Sequence, residues 1–163
     1  MNNKAYFKET EDYFEGLTNQ SQFLGDFVPM SEGELDNVIA NKPQYPLLCL
    51  IDYEGKLNEN KQRTIATRTI TFAVLFSCET ENKAEQRQRV NDAESIGLNI
   101  LAKIEHDACT GAVGWLKNAF KKESVNFVKG EYLHYNNLHG AELSFDLDIK
   151  NPMHYDADFW TIK

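Results

Sequence analysis

Asp52, Glu54 and Lys56 follow an apolar run and have the residue types of a metal-assisted phosphodiester site, with carboxylates to hold Mg²⁺ and a lysine to stabilise developing charge. The two acids lie only two positions apart, whereas such sites take their first aspartate from a preceding strand, so the segment reads as a polar strand exit. Four histidines raise a second question, because His134 and His139 lie close in sequence to Asp146 and Asp148. No two of the histidines have the i, i+4 spacing or the CxxC companion that makes a zinc signal specific. Asp146 and Asp148, with Glu142 and Ser144, read instead as the wet side of an amphipathic strand. There is no glycine-rich phosphate loop, nucleophile elbow or dinucleotide fingerprint. The sequence therefore marks no catalytic residue, no metal ligand and no cofactor site.

What remains as functional surface is the stretch Glu54 to Arg63, which is almost wholly polar. Read as a loop between two strands, it is longer than the usual two to five residues, and long charged loops on rigid sheets often carry contacts. Glu54, Lys56, Glu59, Lys61 and Arg63 are its candidate contact residues. With few apolar groups to bury, it is expected to order only on assembly. Basic residues with interleaved aromatics recur at Lys117–Lys122 and Lys129–Tyr135, a pattern used on single-stranded nucleic acid. In a chain of net charge −8 they read as solvated edges, and no specific nucleic-acid binding is expected.

The elements that position these residues follow from periodicity. Tyr6, Phe7, Tyr13, Phe14 and Leu17 suit a helix over 3–17, and Ser31 with Glu34 forms a capping box before a short helix through Leu35, Val38 and Ile39 that stops ahead of Pro43. Tyr45–Tyr53 is a compact apolar strand. In Thr64–Cys78, Ile70, Phe72, Val74 and Phe76 fall on one face and Thr69, Thr71, Ala73 and Leu75 on the other. Asn82–Ala108 is a long helix with Val90, Ala93, Gly97, Ile100, Leu101 and Ile104 at helical spacing. A short helix over Thr110–Phe120, strands at Val125–Val128 and Glu131–Tyr135, and a strictly alternating strand from Ala141 to Ile149 complete the chain. The expected fold is α+β: an antiparallel or mixed sheet of four to five strands, the long helix on one face, and short N-terminal helices. One domain is expected over 1–163, with a helical part (1–42), the sheet and long helix (43–151) and a tail (152–163).

Composition agrees with a globular chain. Of 163 residues, 42% are hydrophobic and 26% charged, enough to bury a core without staples. Cys49, Cys78 and Cys109 are odd in number and widely spaced, as reduced core thiols are. No signal-peptide pattern or apolar run of membrane-spanning length is seen, so a cytoplasmic protein without membrane contacts is expected.

Four segments carry a resemblance: YPLLCLIDYEGK, TRTITFAVLFSC, the helix beginning ENKAEQRQRV, and GAELSFDLDIKNP. In order and pattern, residues 31–151 resemble the tail terminator and minor tail proteins of long-tailed bacteriophages. The resemblance implies a non-enzymatic head–tail joining or neck component, made in the cytoplasm and built into the virion. It also implies self-association into a ring, commonly of six subunits, that contacts other tail or neck proteins. The segment Cys109–Lys122 and the tail from Met153 depart from that pattern. A small metal-dependent nuclease using Asp52, Glu54 and Lys56 is the alternative from another class, and a binding module of an integrated mobile element is a third. Ala73 and Leu75, together with Tyr155, Phe159 and Trp160 in the tail, are expected to be covered by a second subunit.

Overall fold

The computed structural model describes residues 5–30, 33–60, 63–78, 82–132 and 138–150. Its elements run α1 (Phe7–Gln20), β1 (Phe27–Val28), α2 (Glu34–Ala40), β2 (Leu47–Asn60), β3 (Arg63–Ser77), α3 (Lys83–Thr110), a 3-10 turn (Gly114–Leu116), β4 (Phe120–Tyr132) and β5 (Leu138–Lys150). The five strands form one mixed sheet in the order β1-β2-β3-β5-β4, parallel only between β1 and β2. The expected α+β class, with a long helix packed on the sheet, is what the chain adopts. None of the described helices is long and apolar enough to cross a membrane.

The sheet is built outward from β3, which pairs with β2 from Leu75↔Leu47 to Arg63↔Asn60 and with β5 from Ser77↔Leu138 to Ile65↔Lys150. Its even-numbered side chains Ile70, Phe72 and Val74 meet Leu48 and Leu50 of β2 and Leu143, Phe145 and Leu147 of β5 in one core. Helices α1 and α3 close that face. Phe14, Phe72, Phe145 and Phe120 stand in file with ring centroids 5.4, 6.3 and 5.6 Å apart, so one line of aromatic contacts runs from α1 through the sheet to β4.

Helix α3 begins where the Asn82 side chain accepts from the Glu85 N–H at 3.1 Å and ends at Gly111 in the left-handed region (φ 71°). Its buried face is Ala93, Gly97, Ile100, Leu101, Ile104 and Ala108. Gly97 sits where a Cβ would overlap the Leu143 side chain, so bare backbone lets the helix approach β5 closely. In α1, the buried Thr10 and Thr18 turn their hydroxyls back onto the carbonyls of Tyr6 and Phe14 at 2.8 and 3.3 Å, which satisfies them inside the core.

Three expectations are corrected, and a fourth falls on residues not described. Lys56–Asn60 is not part of a loop: β2 continues to Asn60 and β3 starts at Arg63, with Lys56↔Thr67, Asn58↔Ile65 and Glu59↔Thr64 in register, and residues 61–62 lie outside the described residues. Backbone pairing needs no apolar side chains, and the β-branched partners Thr64, Ile65, Thr67 and Thr69 favour extended chain. Ala73 and Leu75 are not left for a second subunit. They pack with Val28, Leu47, Cys49 and Leu138, and Leu35, Val38 and Ile39 of α2 cover them. Helix α2 begins at Glu34 with Gly33 (φ 82°) as its N-cap, and Ser31 of the expected capping box lies outside the described residues. Phe120–Tyr132 is one strand with an irregularity between Lys121 and Asn126, in place of separate strands at Val125–Val128 and from Glu131, while the short helix expected within Thr110–Phe120 is the 3-10 turn Gly114–Leu116.

Buried Asp107 ties α1 to α3. It accepts from Tyr13 Oη at 2.9 Å and from Lys103 Nζ at 2.5 and 2.6 Å, with His106 Nδ1 at 3.4 Å. Burial pushes the carboxyl up, but the donations from Lys103, Tyr13 and His106 more than offset this and hold it below the usual carboxylate value. Tyr13→Phe deletes a hydrogen bond to a charged acceptor and is expected to cost about 1.5–3 kcal/mol in urea unfolding at neutral pH. A carboxyl depressed in the folded state stabilises above its unfolded pKa of about 3.9 and loses that contribution as pH falls through its folded value. The gap between wild type and Tyr13→Phe therefore closes as pH falls below about 4, which unfolding curves at successive pH values will show.

Candidate functional site

Beyond the part of the sheet that α2 covers, β2, β3 and β5 continue as an extended arm. A bulge at Ile51 moves the register, since Leu50 lies opposite Phe72 but Asp52 lies opposite Thr71. Asp52, Glu54, Lys56 and Asn58 consequently share the face away from α3. Rows of side chains cross that face: Asp52, Thr71 and Ser144; Glu54, Thr69, Asp146 and Lys121; Lys56, Thr67 and Asp148. Thr69 Oγ1 donates to Asp146 at 2.7 Å, Thr67 Oγ1 donates to Asp148 at 2.6 Å and accepts from Asn58 Nδ2 at 2.9 Å, and Lys121 Nζ stands 3.7 Å from Asp148. The two aspartates are thus half-buried parts of a hydrogen-bonded ladder, not freely solvated charges.

On the opposite face of the arm, the Arg68 side chain lies across Gly55, where a Cβ would overlap its guanidinium. Arg68 Cζ is 5.8 Å from the centre of the Tyr53 ring, and Phe7 of α1 meets that ring edge-on at 5.5 Å. Burial raises the Tyr53 hydroxyl, and the neighbouring Arg68 opposes the shift. The arm is therefore tied to α1 at its root.

The residues singled out from the sequence separate on this frame. Asp52, Glu54 and Lys56 do share a face with Asp146. His139 does not join Asp146 and Asp148: it lies in β5, and the strand's alternation puts it on the α3 face, 2% exposed, with neither ring nitrogen hydrogen-bonded among the described residues. Among the described residues, no group of three or more His, Cys, Asp or Glu side chains is placed to hold a metal ion. Glu54 and Lys56 are exposed on the arm. Glu59 and Arg63 lie in its paired strands, opposite Thr64 and Asn60. Lys61, His134, His154, Tyr155, Phe159 and Trp160 lie outside the described residues.

The surface that the sequence did not reveal is the pair of open sheet edges. Strand β1 covers β2 only at Leu48 and Cys49, so from Asp52 to Asn60 the outer edge of β2 has no strand beside it among the described residues. Strand β4 is the other margin. Large apolar side chains are exposed on both: Ile51 and Leu57 (49%) on β2, Phe127 (49%) and Val128 (51%) on β4. Leu98 (44%) stands two turns before Glu105, which takes the Lys122 ammonium of β4 at 3.1 Å, so it lies on the side of α3 that looks towards β4. Of the exposed large apolar side chains among the described residues, only Phe23 is elsewhere, beside a groove of about 370 Å³ between α1 and α3 lined by Leu17, Ile96 and Lys103.

The thiols divide by burial. Cys49 is buried and its thiol is pushed up to about 12, and buried Cys78 is raised by burial too, whereas Cys109 is exposed. Titration of the native protein with a thiol reagent is expected to modify Cys109 quickly and the other two only on unfolding. A second fast thiol would show that a core strand opens.

The chain matches no family model, no curated protein and no solved structure.

Proposed function

We propose that this protein is a structural subunit of a long-tailed bacteriophage or a related element, a ring-forming tail terminator or head–tail joining component. The observation that carries the reading is the placement of exposed apolar side chains along the two open edges of one sheet, Ile51 and Leu57 on one and Phe127 and Val128 on the other. Unpaired edges with apolar residues favour strand pairing with another chain. A contact between unlike surfaces repeated by rotation closes into a ring. The resemblance of residues 31–151 to tail terminator and minor tail proteins supplies the biological setting. Net charge −8 suits a passage that DNA crosses without being held.

The row Asp52, Glu54 and Lys56 beside Asp146 keeps the nuclease reading open to the same test. Sedimentation velocity and native mass spectrometry over micromolar to submillimolar protein are expected to give a closed oligomer of fixed size, whose formation depends on concentration. Incubation with DNA and Mg²⁺ is expected to leave the DNA intact. A strict monomer at the highest concentration would overturn the assembly reading, and cleavage abolished by Asp52→Ala would replace it with the nuclease.

A further inference from the structure

We infer that successive subunits join head to tail by pairing the outer edge of β4 in one copy with the outer edge of the β2 arm, residues 52–60, in the next. This rests on the self-assembly proposed above and specifies its contact.

Strand direction is the first support. The strands β2, β3, β5 and β4 are antiparallel throughout, so β2 and β4 run in opposite directions. A copy placed beside the first by rotation about an axis along the strands brings β4 against β2 antiparallel, continuing the pattern already present. Residue facing agrees with this. Leu57 lies opposite Ala66 and Phe127 opposite Leu143, both on the α3-bearing face, so the shared sheet would carry both exposed side chains on one side.

Length is the second support. Past its bulge, β2 offers Asp52–Asn60; past its irregularity, β4 offers Asn126–Tyr132. The bulged half of β4 has two lysines, Lys121 and Lys122, and the broken register that usually protects an edge, whereas the regular half has one, Lys129, and carries Phe127 and Val128. The protection is therefore confined to one half of the strand.

Charge narrows the partner. In a chain of net charge −8, the arm 52–60 is acidic, with Asp52, Glu54 and Glu59 against Lys56, while 126–132 of β4 is balanced, with Lys129 against Glu131. A symmetric β2–β2 contact would set acids against acids, whereas β4 meets the arm without that repulsion.

Two edge variants test the inference: Phe127→Glu/Val128→Glu, which blocks β4, and Lys56→Glu/Leu57→Glu, which blocks the arm. All four positions are exposed, and circular dichroism with thermal unfolding checks each fold. Each variant alone is expected to be monomeric under conditions where wild type assembles. Their mixture is expected to form a dimer containing one of each, and nothing larger, because one good β4 edge meets one good arm. Dimers of the arm-blocked variant alone would indicate β4–β4 pairing, and dimers of the β4-blocked variant alone would indicate β2–β2 pairing. Either result, a mixture that stays monomeric, or variants that assemble like wild type overturns the head-to-tail contact while leaving self-assembly intact. A monomeric wild type overturns both. Hydrogen exchange on the unmodified protein gives an independent reading: assembly is expected to slow exchange in 52–58 and 126–132 together, and protection of only one of them overturns the pairing.

Discussion

Strand β3 must be covered on both faces where it is apolar and paired along both edges throughout, and each requirement recruits a different part of the chain. Its even-numbered side chains bring α1 and α3 to one side; Ala73 and Leu75 bring α2 and β1 to the other. Each large side chain so buried contributes about 1.5–3 kcal/mol. Backbone pairing with β2 and β5 satisfies the amides that this burial removes from water. Close packing follows where the chain supplies small residues. Gly97 lets α3 settle on Leu143, and Gly140 in β5 sits where a Cβ would strike the Val74 carbonyl.

The same strand changes character at Thr71. Above it, both faces are apolar and roofed by helices; below it, threonines on one face bond to aspartates of β5. That change explains how a polar segment remains extended. Thr67 and Thr69 give Asp148 and Asp146 short donors, and cross-strand polar pairs of this kind contribute fractions of a kcal/mol each in addition to the backbone ladder. The arm is stiffened by local chemistry and anchored at its root by Phe7, Tyr53 and Arg68. An arm of that kind is better suited to presenting an edge than to binding a small molecule, since its polar side chains already bond one another.

Covering β3 so thoroughly leaves the margins of the sheet as the place where further contact can occur. Helices α1, α2 and α3 close the faces, and the exposed apolar side chains gather at the edges.

The sequence by itself determined the local features: the α+β class, α3 from Asn82, the alternation of β5 and the central strand, and Cys49 and Cys78 as core thiols, whereas Cys109, read the same way, is exposed. The elements among them are written in residues a few positions apart, through a period of 3.6 or 2. The arm was misread as a loop because its partners are polar, and polar strands lack the apolar alternation by which strands are recognised. Only the tertiary structure decided the rest. The bulge at Ile51 set which way Asp52, Glu54 and Lys56 face, the alternation of β5 through the unrecognised Leu138–Gly140 separated His139 from Asp146, and α2 covered Ala73 and Leu75. Which strand lies at an edge depends on pairings between residues up to about eighty positions apart, such as Thr67 with Asp148. A strand's own residues record its faces but not its neighbours, and so Phe127 and Val128 looked like ordinary strand residues until the order β1-β2-β3-β5-β4 left them at the margin.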